Sequence, residues 1–233
     1  MTQTVTQSGT ELHAPQTTGV RGLLLLCGIL APLLYIGADI LAASRFEGYS
    51  YTSQTISELM AIGAPTRPLL IALFLPWNVL VAAFGIGVWA SAGGKRALRI
   101  SGILLVACSA VSLAGLSSPM HLRGAAGATA GGGMHIADVM HILITMTIVL
   151  FTLLYIAFGA AALGKGFCLY SIGTILAMLV FGGLAGMQGP RIAANLPTPW
   201  VGVCERASVY FSMVWMLVLA VALMRARRAS IRA

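Results

Sequence analysis

The sequence predicts an all-α fold, a polytopic membrane helical bundle with six transmembrane helices, on three observations. Apolar residues make up 58% of the 233-residue chain and charged residues only 9%, with a mean hydropathy of +0.92; soluble domains do not have this composition. Six apolar stretches, over 22–43, 68–92, 98–117, 137–163, 167–187 and 203–224, each reach the roughly 20 residues needed to cross a hydrocarbon core about 30 Å thick. Their Leu, Ala and Val runs do not alternate, which excludes a β-barrel and leaves helices to satisfy the backbone in lipid.

Taken in order, residues 1–20 are polar and rich in Thr and Gln and are expected to be a disordered cytoplasmic tail. The run after Arg21 is longer than the core of a cleaved signal peptide, so it is read as a retained span; Ala42-Ala43-Ser44 is the one cleavage-like sequence at its end. The linkers after spans two and four are short and basic (Gly93-Gly94-Lys95-Arg96 with Arg99, and Gly164-Lys165-Gly166), whereas those after spans one, three and five are longer and rich in Gly, Pro and aromatic residues. The membrane domain is expected over 21–225, with a basic cytoplasmic tail over 226–233. In helix five, Gly182 and Gly186 have the small-xxx-small spacing that lets helices pack closely.

Placing both termini and the basic linkers in the cytoplasm puts Arg21, Lys95, Arg96, Arg99, Lys165, Arg225, Arg227, Arg228 and Arg232 inside, the majority of the 14 Lys and Arg, as the positive-inside rule requires. Glu11 is then inside, and Asp39, Glu47, Glu58, Asp138 and Glu205 lie at the outer face. The net charge of +8 flanks apolar runs instead of covering a polar surface, so no nucleic-acid partner is expected. Cys27, Cys108, Cys168 and Cys204 stand singly in apolar runs and read as small packing residues.

Chemistry is confined to the outer end. In the first outer loop, Thr55 and Glu58 have capping-box spacing, and Gly63 and Pro65 end the helical segment that this cap begins. A short amphipathic helix over 55–62 is expected to lie across the bundle mouth with Ile56, Leu59 and Met60 inward. His135, Asp138 and His141, at steps of three, share a stripe at the start of helix four. That stripe suits zinc or another divalent metal, with His121 or Glu205 as a fourth ligand, although the spacing matches neither HExxH nor a closed structural site. Glu205 and Arg206 open helix six and point about 100° apart, so each should meet a different helix. Asp39, near the outer end of helix one, would be costly unpaired; Arg206 and Arg191 are its expected partners.

Haem is excluded because no His lies in the other five helices to supply a second ligand at matched depth. A Ser-His-Asp hydrolase would draw on Ser57 or Ser117 as nucleophile, His135 or His121 as base and Asp138 as orienter, without a nucleophile elbow to support it.

Ser57-Glu58-Leu59 after the first span, a Pro-containing end to the third, a His opening the fourth and Glu205-Arg206 opening the sixth resemble the bacterial membrane family catalogued as domain-of-unknown-function family 998, over about 21–225. The resemblance implies six helices and supplies no activity. Where that family tends to carry Pro-x-Asp after the third span, this chain has Pro119-Met120-His121. More distantly, the outer Ser, Asp and His are similar to those of membrane hydrolases that include alkaline ceramidases, whose paired-His motif on the last helix is absent here. The expected location is a bacterial-type inner membrane. The expected function is binding of a lipid headgroup or small polar ligand by Asp39, Ser57, Glu58, His135, Asp138, His141, Glu205 and Arg206. The alternatives are a metal-assisted hydrolase of a lipid or amide on the same cluster, a small transporter, or a structural membrane protein.

Overall fold

The computed structural model describes residues 14–123 and 135–232. Among these there are eight helices: α1 (Ala14–Arg45), α2 (Ile56–Leu59), α3 (Arg67–Ala90), α4 (Arg96–Gly115), α5 (Ile136–Ala160), α6 (Lys165–Gly186), α7 (Gly189–Ala193) and α8 (Val201–Arg232). Six of them, all but α2 and α7, are long and apolar enough to cross a membrane, and the protein is a multi-pass membrane protein of the all-α class. Both terminal helices overrun the expected limits: α1 is already helical from Ala14, within the expected tail, and α8 continues to Arg232, through the basic segment expected to follow the domain. Residues 1–13 of the N-terminal tail lie outside the described residues.

Consecutive spans run antiparallel and pack as neighbours: α1 on α3, α3 on α4, α4 on α5, α5 on α6, α6 on α8, and α8 back on α1. The ring is thus closed. Its lining includes Leu25, Leu70, Phe84, Leu105, Ile156, Trp215 and Leu219, all buried, while Leu23, Leu33, Val79, Met146, Leu169 and Val180 are each more than half exposed on the outside. In water such a surface would drive aggregation; against acyl chains it is matched.

Lipid offers helices no hydrophobic reason to associate with each other, so close packing and interhelical hydrogen bonds must supply it. A close approach of backbone to backbone joins α3 to α4. A Cβ placed on Gly85 would lie 2.8 Å from the Gly102 carbonyl oxygen, and one on Gly102 would lie 2.7 Å from that of Gly85. Of the spacing singled out in helix five, Gly182 does pack on α8, where its Cβ would meet Ser208 Oγ at 3.1 Å, but Gly186 faces open space. Ser109 Oγ donates to the Asn78 carbonyl (2.7 Å), Ser101 Oγ to that of Tyr155 (2.8 Å), and Trp215 Nε1 to Ser171 Oγ (2.8 Å), tying α4 to α3, α4 to α5 and α8 to α6.

The two ends of the ring differ. At one, the α3–α4 turn is joined to the end of α5 by Lys95 Nζ, which donates to the Ala162 carbonyl at 2.8 Å. The other end gathers residues 46–66, 116–123 and 187–200 of the long linkers, and with them most of the ionisable side chains the sequence singled out.

Candidate functional site

At the loop-rich end, Asp39 on α1 and Arg206 on α8 are paired across the ring wall. Arg206 Nε and Nη2 donate to the two Asp39 carboxylate oxygens, each at 2.9 Å, and Arg206 and Asp39 are 3% and 0% exposed. A guanidinium presents its donors as a planar fork that matches a carboxylate in this way. The remaining donors hold the first loop: Nη2 reaches the Tyr49 hydroxyl (2.7 Å), and Nη1 reaches the carbonyls of Tyr51 (2.9 Å), Gln54 (3.0 Å) and Gly202 (3.3 Å). The Tyr51 ring lies under the guanidinium carbon at 3.7 Å from its centroid, a cation–π contact, and the hydroxyls of Tyr51 and Tyr210 donate to Asp39 Oδ2. Burial pushes the Tyr49 and Tyr51 phenols above their ordinary range, which keeps them neutral; the Arg206 hydrogen bond offsets this in part for Tyr49.

The first loop also finishes the start of α8. Gly202 N and Val203 N donate to the Thr52 carbonyl at 2.9 and 3.3 Å, so a carbonyl from another segment satisfies amides that a helix leaves unpaired at its first turn. Gly202 is required here by space, because an added Cβ would collide with the Tyr51 and Gln54 carbonyls.

The capping box forms as its spacing predicts. Thr55 Oγ1 accepts from Glu58 N at 3.2 Å, and Glu58 Oε2 accepts from Thr55 N at 2.7 Å. The helix is a single turn, shorter than the 55–62 expected: it ends at Leu59, with Met60 as its cap and Gly63 at φ +92° turning the chain away. Ile56 and Leu59 are buried and Met60 packs on the core. Glu58 is fully buried and holds a second partner in Arg123, whose Nη2 donates to Oε2 at 3.0 Å; Arg123 Nε is equally near Oε1 but its N–H is not aimed there. Arg123 Nη1 donates to Thr198 Oγ1 (2.7 Å), which donates in turn to the Ser53 carbonyl (2.9 Å), so one arginine joins all three long linkers. Glu205 accepts from the Ile56 amide, and the neighbours Glu205 and Arg206 thus serve α2 and α1 respectively.

The histidines take separate partners. His141 Nδ1 is 3.2 Å from the Ser118 carbonyl oxygen, which can only accept, so Nδ1 carries the proton. Nε2 is then the acceptor of the Ser57 hydroxyl, also at 3.2 Å. His121 uses its backbone N (2.7 Å) and Nδ1 (3.3 Å) to meet the Asp138 carboxylate, and its ring packs edge-on against that of His135 with centroids 4.5 Å apart. His135 is exposed and caps its own helix, Nδ1 accepting from Ala137 N at 3.2 Å. An isolated bridge between Ile62 and His121 holds the first and third-to-fourth linkers together.

The eight residues expected to form one site are therefore divided. Asp39 with Arg206, and Glu58 with Thr55 and Arg123, are buried pairs whose charges are already matched; Glu205 braces the loop; Ser57 with His141, and Asp138 with His121 and His135, stand nearer the surface. Among the described residues no three His, Cys, Asp or Glu side chains are grouped as a metal-ion set, and His135, Asp138 and His141 do not point to a common centre but to Ala137, His121 and Ser57. The imidazole beside Ser57 is that of His141, not of the His135 or His121 named from the sequence. Arg123, Tyr49, Tyr51, Tyr210 and Thr198 were not foreseen. Two carried a signal: Arg123 is a basic residue on the face where such residues are few, and Tyr210 lies four residues after Arg206, one turn along the same helix.

Beside the histidines an open groove of about 360 Å³ is lined by Ile62, Arg67, Ser117, Ser118, Pro119, Ile136, Ala137 and Met140. Its walls are mainly apolar. Arg67 is its single charged residue, and among the described residues the Arg67 side chain makes no ion pair. The groove adjoins the Ser57–His141 pair through Ser118, whose carbonyl holds the imidazole, and through Met140, the residue before it.

No curated protein and no solved structure was found to match the chain. A family match does extend over residues 29–222, from the first span through the last and across every residue of the site, and by it the chain belongs to the family described as Protein of unknown function (DUF998).

Proposed function

We propose that the protein binds a membrane amphiphile with an anionic headgroup at the extracytoplasmic end of the bundle. The groove beside Arg67 carries this reading. Its volume of about 360 Å³ is within the usual range for small-ligand sites of roughly 300–1,000 Å³, which have apolar walls and few polar groups. An acyl chain suits Ile62, Ile136 and Met140, and the Arg67 guanidinium suits a phosphate or carboxylate. The buried pairs Asp39–Arg206 and Glu58–Arg123 are the frame that fixes the linkers around the groove, since their charges are already matched. The orientation rests on the positive-inside rule, with both termini, Lys95 and Lys165 in the cytoplasm of a bacterial-type inner membrane.

Native mass spectrometry of gently extracted protein, offered phosphatidylglycerol and phosphatidylcholine in equal amount, tests it. The parent protein should retain the anionic lipid in preference. Arg67→Ala should abolish the preference, and Met140→Trp, which fills the groove, should reduce retention of both lipids. Unchanged retention by both variants would refute the reading.

A further inference from the structure

We propose that Ser57 and His141 are a nucleophile and general base for acyl transfer from a carboxylic ester whose chain occupies the groove, an inference that rests on the binding reading above. Four observations support it. The tautomer of His141 is fixed by the Ser118 carbonyl, so the nitrogen facing Ser57 is the basic one. The Ser57 hydroxyl is the donor in a 3.2 Å contact, within reach of the geometry that activates a serine, which is often loose before substrate binds. His141 is the single side-chain partner of Ser57 Oγ among the described residues, so the oxygen keeps free lone pairs for attack. Both residues are part-exposed, unlike the buried Glu58 next to Ser57, and the groove begins at the residue whose carbonyl orients the base.

The arrangement has the logic of a serine triad with the orienting carboxylate replaced by a backbone carbonyl. A carbonyl fixes the ring and its tautomer equally well but stabilises the imidazolium less. In the first step Ser57 Oγ bonds to the ester carbonyl carbon while its proton passes to His141 Nε2. The tetrahedral adduct collapses, the bond from carbon to the leaving oxygen breaks, and that oxygen takes the proton from Nε2, leaving an acyl-Ser57 ester and a free alcohol. Water then attacks the acyl carbon, giving its proton to Nε2; the bond to Ser57 Oγ breaks, and Oγ recovers the proton as the carboxylic acid departs. No co-reactant other than water is needed.

A fluorophosphonate probe reports this pair without knowledge of the ester, because the Ser57 oxygen displaces fluoride from phosphorus with the same transfer of its proton to His141. The full-length protein in nanodiscs should be labelled, with the adduct on the peptide containing Ser57. Ser57→Ala should remove labelling while keeping the melting temperature of the parent. His141→Gln, which retains a polar side chain of similar reach but no base of comparable strength, should slow labelling by about 100-fold or more, the lower end of what a general base contributes. Labelling that persists in Ser57→Ala, labelling of the His141→Gln variant at the parent rate, or no adduct at Ser57 would each overturn the proposal. Retention of phosphatidylglycerol that depends on Arg67 in a protein whose Ser57 stays unlabelled would leave the binding reading standing and remove acyl transfer alone. A labelled Ser57 in a protein that shows no lipid preference would do the reverse.

Discussion

Removing the Arg206 guanidinium tests whether the Asp39–Arg206 pair is the frame of the loop-rich end. Arg206 makes six hydrogen bonds, two to Asp39, one to Tyr49 and three to the carbonyls of Tyr51, Gln54 and Gly202. In Arg206→Ala, Asp39 remains with only the Tyr51 and Tyr210 hydroxyls at a fully buried position, and the carbonyls lose their donor. Breaking a buried pair from one side costs about 3–5 kcal/mol. At about 2–4 °C per kcal/mol for a chain of this length, the melting temperature should fall by roughly 6–20 °C.

The assay is thermal unfolding in nanodiscs, with chymotrypsin cleavage at Tyr49 or Tyr51 as a local reporter. Arg206→Lys should not rescue, because an ammonium cannot span a carboxylate and a set of carbonyls together. The double variant Asp39→Leu with Arg206→Leu separates two contributions. It leaves no unpaired charge, so most of the melting temperature should return, yet the loop carbonyls still lack their donor and cleavage at Tyr49 or Tyr51 should stay fast. A shift below about 2 °C in Arg206→Ala, which means less than about 1 kcal/mol in a chain of this size, would refute the reasoning. So would a double variant whose loop resists cleavage as the parent does.

Gly202→Ala should destabilise by about 1–3 kcal/mol, as overpacking a tight contact does, since its Cβ meets the Tyr51 and Gln54 carbonyls; thermal unfolding measures it, and a parent-like melting temperature would count against the close approach. In a background without native cysteines, Gly127→Cys and Ala194→Cys should react with an impermeant maleimide from outside intact cells, and labelling from the cytoplasmic side would reverse the orientation.

The spans were legible because lipid imposes one rule on every residue of a crossing segment, so composition and length suffice. The local cap at Thr55 and Glu58 was legible for a similar reason: both partners lie within one turn. The partner of Asp39 could be narrowed in advance to Arg206 or Arg191, because a charge beside hydrocarbon needs a partner and few candidates enter the ring at that depth; the structure pairs it with Arg206, while Arg191 donates to the Pro197 carbonyl. Contacts between linkers had no such rule. Arg123 reaches Glu58 and Thr198 across 65 and 75 residues of chain, and nothing periodic connects those positions. The imidazole nearest Ser57 was equally hidden. His135 and His141 are both at the opening of one helix, and choosing between them required knowing that linker 116–123 sits close enough for the Ser118 carbonyl to fix His141, while His135 spends its Nδ1 on its own helix cap.

Spare bonding capacity, more than charge, separates the residues that hold this end together from those free to act. Arg206 has its donors on Asp39, Tyr49 and three carbonyls, and Glu58 is enclosed by Thr55 and Arg123. A ligand could engage either only by breaking bonds already made in a site shielded from water, which costs more than a single new contact returns. Ser57 Oγ and the Arg67 guanidinium are different: among the described residues one has a single side-chain partner and free lone pairs, and the other faces an apolar groove without an ion pair. Loss of function on substituting Asp39, Glu58 or Arg206 would therefore be inseparable from loss of the frame. Substituting Ser57, His141 or Arg67 removes capacity for chemistry while leaving the buried pairs whole, so those positions can tell a ligand site from a scaffold.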